Sequence, residues 1–284
     1  MYPVLTFALA GQAFAVTSYR FFFVLAAATT LGLSLAVAAR RGLPGRRVAP
    51  CLLAAAVAVP VGARALDVLT KPAAYAGHLE RILAVDLDGF SLYGGLLLAL
   101  AVGGLACGLA RLDLRRLADA TAPGLGVGIA LMRLGCFAAG CCFGRETNLP
   151  WGVTFPPGSE AHSYQLLHGG RLFALAAPAP VHPTELYEAL AALGAAALAL
   201  WLAGRRHRSG VPFLAALLWY DAFRLANHFL RVPASGLDVP AWFYPVVYLG
   251  VLALAGAVLA WRTSASPAAG EALAPRPSYG VVAR

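Results

Sequence analysis

Between Arg133 and Thr147 the chain reads RLGCFAAGCCFGRET, an arginine and three cysteines in a segment otherwise apolar and rich in glycine. Two other stretches are comparably dense in reactive groups: HPTELYE, His182 to Glu188, and YDAFRLANHFLR, Tyr220 to Arg231. At ~100° per residue, Arg133, Cys136, Phe137, Gly140 and Gly144 share one helix face. Tyr220, Arg224, Asn227 and Arg231 form a stripe on a second helix, with His228 at its edge. A guanidinium offers five donors in a planar fork that suits phosphate oxygens, so Arg133 and Arg224 together point to a phospholipid headgroup site. An arginine in the middle of a membrane span costs ~2.5–3.5 kcal/mol, so two of them need a compensating partner. A buried carboxylate or helix carbonyls would serve, with Asp221 and Glu185 the nearest acids. A bound anion accounts better for so few acids at that depth.

The elements that must position these groups are membrane helices. Of 284 residues, 60% are hydrophobic and only 12% charged, with a mean hydropathy of +0.72, against about 25% charged in soluble domains. The net charge of +9 would suggest nucleic acid in a soluble protein, but here the basic residues gather in short loops, which argues against it. Seven stretches approach the ~20 apolar residues a span requires: 20–39, 48–66, 91–110, 119–143, 184–203, 211–230 and 241–261. An all-α integral membrane protein follows. Arg133 then lies about ten residues, ~15 Å, inside the outer end of the fourth span.

Loop charge sets the orientation. Arg40, Arg41, Arg46 and Arg47 fill one connection, Arg111, Arg115 and Arg116 a second, Arg205, Arg206 and Arg208 a third. By the positive-inside rule these face the cytoplasm, placing the N-terminus outside and the C-terminus inside. Residues 1–18 read as an arm on the membrane surface, 19–261 as the membrane domain and 262–284 as a disordered cytoplasmic tail. An insert at 145–181 has too many prolines for one helix and reads as an extracytoplasmic cap. GLACG, Gly104 to Gly108, is a small-xxx-small pattern that permits close helix approach. Pro183 suits a first helical turn, and Thr184 is a candidate cap. No metal or other cofactor is expected, since the cysteines form no CxxC pair and zinc wants more ligands at regular spacing. Cys136 and Cys141 are soft apolar filling, a covalent thiol or a disulfide partner. On a regular helix Cys142 points away from Cys136.

These residues carry a resemblance. RLGCFAAGCCFGR, YGGL after a short polar lead, HPTELYE and YDAFRLANHFLR resemble, in order and spacing over residues 19–261, the prolipoprotein diacylglyceryl transferase family. The family's pattern on the fourth span is Arg-x-Gly-Asn-Phe-x-Asn-x-Glu-x-x-Gly. Arg133, Gly135, Phe137 and Gly144 match it, while Cys136, Ala139 and Cys141 replace its two Asn and its Glu. Tyr220, Arg224 and Arg231 match the late span, where His228 replaces a Glu. Tyr93 replaces the His of the third span's His-Gly-Gly. The chain resembles a divergent branch that keeps the arginines.

The resemblance implies a seven-span enzyme, embedded in the bacterial inner membrane with its active site facing outward. It moves a diacylglyceryl group from phosphatidylglycerol to the lipobox cysteine of a preprolipoprotein signal peptide, releasing glycerol phosphate. Arg133 and Arg224 would stabilise charge on the phosphate. Tyr93 or His182 would handle the thiol proton, with His228 a further candidate base. Tyr220, Asn227, Arg231, Tyr19, Cys136, Gly144 and Glu185 would bind substrate alongside the two arginines. The alternatives are a phospholipid or anion carrier or channel without catalysis, and a related transferase with a different acceptor.

Overall fold

The computed structural model describes residues 4–9, 12–77, 79–82, 92–168, 177–205, 207–232 and 240–264. The tail expected beyond 264 and residues 169–176 of the expected cap lie outside the described residues. The chain divides into two compact units, one drawn from Met1–Thr30 and Ala122–Arg276, the other from Leu31–Thr121 and Pro277–Arg284.

The first unit opens on an antiparallel hairpin rather than a plain arm. Strand β1 (Val4–Leu9) pairs with β2 (Gln12–Thr17) in a register running from Val4 opposite Thr17 to Leu9 opposite Gln12. β-branched Val4, Thr6, Val16 and Thr17 favour extended backbone, so the all-α expectation is corrected here. Helix α1 (Ser18–Arg40) follows directly.

The second unit holds the part of α1 beyond Thr30, then α2 (Gly45–Thr70), the short α3 (Pro72–Tyr75), a 3-10 turn at Leu79–Ile82, and α4 (Leu92–Leu109). It is held by backbone contact at glycines. A Cβ on Gly62 would sit 2.3 Å from the Gly94 carbonyl oxygen, and one on Gly94 would sit 2.2 Å from that of Gly62. Gly94 and Gly95 of the YGG motif are therefore the crossing point of α2 and α4. The GLACG expectation is not met, since nothing lies within 4 Å of a Cβ on Gly104 or Gly108. α2 runs past the expected end at 66, and its last turns bury an unforeseen polar group. Tyr75 donates to Asp67 Oδ2 at 2.7 Å, Arg64 donates to the Tyr75 hydroxyl at 3.4 Å, and Lys71 Nζ lies 3.0 Å from Asp67 Oδ1.

The remaining elements are α5 (Leu114–Ala139), α6 (Glu160–His168), α7 (Thr184–Ala203), α8 (Val211–His228) and α9 (Phe243–Ser264). Within the first unit small residues bring α1, α5, α7 and α8 close. Cβ atoms on Gly135 and Gly126 would overlap Phe22 and the Ala192 carbonyl, at 2.6 Å each. Ala130, Ala189 and Ala192 form one buried cluster, and Ala122, Ala195, Ala199 and Ala216 another. The segment between α5 and α7 has a core of its own, where Phe143, Phe155, Ala161 and Val181 are buried together.

Five helices, α1, α2, α5, α7 and α9, are long and apolar enough to cross a membrane. α4 holds a shorter apolar stretch, Gly94–Leu109. Exposed Val24, Val57, Leu97, Leu105 and Leu190 lie on these helices, the surface expected of a chain whose solvent is lipid. The protein is a multi-pass membrane protein.

Candidate active site

The site is built at one end of α5, α7 and α8. Gly140, with φ of 78°, stops α5 after Ala139, so the expected span to 143 is too long. A left-handed glycine just past the last helical residue is a common stop, because no Cβ opposes that conformation. Arg133 therefore stands six residues, about 9 Å, from the end of its helix, shallower than the sequence suggested. Gly144 shares no helix face with it. Residues 143–147 run extended instead. Gly144 N donates to the His182 carbonyl at 2.9 Å, Arg145 N to the Leu230 carbonyl at 2.8 Å, and Val232 N to the Phe143 carbonyl at 3.3 Å. Bridges Gly144–Arg231 and Glu146–Val181 complete this small ladder, which joins the end of α5, the start of α7 and the end of α8.

Gly144 is required there for close approach. A Cβ would lie 2.6 Å from His182 Cβ and 2.7 Å from its carbonyl oxygen. Gly144→Ala is expected to part the ladder at a cost of about 1–3 kcal/mol. The check is the thermal unfolding midpoint of the purified protein in detergent, and a midpoint equal to the parent's would refute the packing argument.

Glu188 is the centre of the polar cluster, and the sequence reading passed over it in favour of Glu185 and Asp221. Its Oε2 lies 2.5 Å from Arg133 Nε, its Oε1 accepts from Arg224 Nη1, and Arg231 Nη1 stands 4.0 Å from Oε1. Asn227 Nδ2 donates to the same Oε1 at 3.0 Å and to the Thr184 carbonyl at 3.1 Å. The two arginines thus converge as expected, but on a carboxylate, so the ion-pair alternative is part of what the structure holds. Glu188 faces three guanidiniums, and its side chain is 4% exposed against 13–18% for the arginines. The cations are thus the more accessible members of the cluster.

The other expected residues sort around it. Tyr220 has Arg133, Glu188 and Arg224 as electrostatic neighbours. Thr184 makes no N-cap hydrogen bond, Pro183 being the cap residue, and its hydroxyl donates to the Cys142 carbonyl at 2.8 Å. Glu185 is 1% exposed and neither carboxylate oxygen has a hydrogen-bond partner among the described residues. Arg133, Arg231 and Cys142 are its electrostatic neighbours. His182 contributes backbone to the ladder, with its N donating to the Arg145 carbonyl at 3.0 Å, and its Nδ1 lies 3.3 Å from the Tyr187 hydroxyl. His228 packs its ring against Phe229, Tyr244 and Tyr248. Tyr19 on α1 has the three cysteines and Arg133 as neighbours. Tyr93 belongs to α4 in the second unit, and its side chain lies outside the described residues.

The cysteines depart most from expectation. Because the helix ends at Ala139 and Cys142 has φ of 72°, Cys142 does not point away. The sulfurs of Cys136, Cys141 and Cys142 all lie within 4.8 Å of one another. Arg133 Nη1 is 4.0 Å from Cys136 Sγ.

Fold and site together define a multi-pass helical membrane protein with a cluster of arginines around a buried carboxylate at the ends of three helices. Residues 5–263 match the family described as prolipoprotein diacylglyceryl transferase, and the chain belongs to that family. It is 34% identical over 208 residues to a phosphatidylglycerol–prolipoprotein diacylglyceryl transferase of Geobacter sulfurreducens, covering 72% of this chain and 73% of that one. A second such transferase, of Streptomyces coelicolor, is 33% identical over 201 residues, 68% of this chain and 60% of that one. One from Cupriavidus necator is 30% identical over 209 residues, covering 70% and 69%.

Proposed function

We infer that the protein is an enzyme transferring a diacylglyceryl group from phosphatidylglycerol to the lipobox thiol of a preprolipoprotein. The observation that carries the site assignment is the convergence of Arg133, Arg224 and Arg231 on the single carboxylate of Glu188. In the reaction the acceptor sulfur attacks the glyceryl carbon that bears the phosphate. The carbon–oxygen bond breaks, its electron pair leaves with the phosphate, and glycerol phosphate departs with one more negative charge than the diester carried. Preorganised cations aimed at that developing charge lower the barrier. Arg133 and Arg224 hold the phosphate and Arg231 adds long-range attraction. Glu188 keeps the guanidinium forks oriented between turnovers, so binding a headgroup exchanges one anionic partner for another.

The acceptor thiol must lose its proton, and Glu185 is the group best placed to take it. It is a carboxylate held in the same cluster with no side-chain hydrogen-bond partner among the described residues, and a general base acts from within hydrogen-bond reach. Tyr93 and His182 are the other candidates for that proton, and His182 also frames the site through its backbone. Tyr220, Asn227, Tyr19, Cys136 and Gly144 shape the surround.

The membrane arrangement proposed is seven spans, adding α4 and α8 to the five apolar helices, with the N-terminus outside. The arginine-rich connections on alternate sides support it. The site then opens toward the outer face of a bacterial inner membrane, where exported preproteins present their lipobox. The decisive experiment is complementation. Expressed in cells depleted of their own diacylglyceryl transferase, the protein restores lipid-modified lipoprotein, read by the mass of the acceptor peptide. Failure to modify any lipobox peptide, with phosphatidylglycerol flux in liposomes instead, would replace the enzyme reading by a carrier.

A further inference from the structure

Cys136, Cys141 and Cys142 take the places of an Asn, a Glu and the residue after it, so the transfer chemistry does not call for three thiols. Their placement follows from two backbone events. Gly140 N and Cys141 N both bond to the Cys136 carbonyl, at 3.0 and 3.2 Å, closing the end of α5. Cys142 then adopts the left-handed region, which a non-glycine residue enters rarely and usually at functional positions. The Thr184 hydroxyl pins that conformation through the Cys142 carbonyl. Three sulfurs converge as a result, one buried and two partly buried, all as free thiols. Among the described residues no histidine, aspartate or glutamate joins them as a further ligand in the group.

We propose that Cys136, Cys141 and Cys142 form a three-coordinate site for a soft monovalent metal ion, of the copper(I) class. Thiolates select copper(I) and zinc over harder ions. Structural zinc takes four ligands, and this group supplies three. Metal–sulfur bonds of about 2.3 Å put three sulfurs of a trigonal site about 4 Å apart, so sulfurs already within 4.8 Å need only contract by under about 1 Å. A disulfide would use two sulfurs and leave the third without a role. Binding releases the thiol protons to solvent and forms three metal–sulfur bonds. A monovalent ion among three thiolates leaves negative charge on the site. Arg133, 4.0 Å from Cys136 Sγ, and Arg231, an electrostatic neighbour of Cys142, stand beside it as counter-ions. The ion would share Arg133 and Arg231 with the lipid site, but its binding is read with no lipid or acceptor present, so a protein inactive in complementation can still bind it, and the converse.

The test is a competition titration of full-length protein in detergent, anaerobic and with ascorbate, using copper(I) bicinchoninate as the probe. One copper per chain is expected. Each of Cys136→Ser, Cys141→Ser and Cys142→Ser weakens binding by more than the about 10–100-fold that losing an outer partner of a metal site costs. Cys51→Ser with Cys107→Ser, whose thiols lie outside the cluster, leaves it unchanged. X-ray absorption on the unaltered copper-loaded protein gives three sulfur scatterers at about 2.3 Å, a readout independent of how well any variant folds. Two scatterers, oxygen or nitrogen ligation, or copper uptake no greater than that of the triple Cys→Ser variant would overturn the site.

Discussion

Glu188→Ala is expected to destabilise the protein by about 3–5 kcal/mol, the cost of leaving a buried ion pair half made. The magnitude follows from geometry. Glu188 is 4% exposed, contacts Arg133 and Arg224 directly and accepts from Asn227. Its removal leaves guanidiniums from two helices facing one another with no anion between them, and takes an acceptor from Asn227. Glu188→Gln keeps the shape but not the charge, and loses most of the same stability. Thermal unfolding in detergent measures both variants. Added phosphatidylglycerol should recover part of the loss, because the headgroup supplies the missing anion. Two variants that unfold at the parent's temperature would show that the arginines are satisfied elsewhere and that the cluster is not the centre of the site.

Arg133→Ala is expected to lower diacylglyceryl transfer by about 10²–10³-fold, the range found when one preorganised donor to a developing anion is removed. Arg133→Lys recovers little, since an ammonium cannot reproduce the planar fork that reaches both Glu188 and a phosphate oxygen. The split between constants separates catalysis from packing. A transition-state role depresses kcat as well as kcat/KM, whereas loss of lipid binding alone raises KM. Transfer to a lipobox peptide, followed by mass, gives both. Arg133→Ala and Arg224→Ala variants that transfer at the parent's rate would remove the phosphate assignment.

Much of the scaffold was legible. The spans of α7 and α8 coincide with the expected starts at 184 and 211, because Pro183 and Gly210-Val211-Pro212 mark helix starts by local backbone restriction. The convergence of Arg133 and Arg224 was also legible, from the cost of burying each. Glu188 was not. Glu185 and Glu188 both lie among the buried residues of α7, with Ala189, Ala192, Ala195, Ala196 and Ala199, so helical spacing places both acids on the packed face and does not say which of them meets the arginines. The cysteine cluster was missed because α5 was taken to run on to 143, and periodicity carries no meaning past a left-handed glycine. The hairpin at 4–17 failed for another reason. A short apolar run with no clear period does not distinguish strand from surface arm, and the β-branched residues were the usable clue.

Of the three cations, only Arg231 lies beyond the end of its helix, paired to Gly144 across the ladder while its N still donates to the Asn227 carbonyl at 3.1 Å. That makes the grip on a bound phosphate unequal. Two fingers are fixed within helices wedged among neighbours, while the third is set by the ladder just past a helix end. A change that parts Gly144 from Arg231 would therefore weaken the hold on the phosphate while leaving both helical arginines in place.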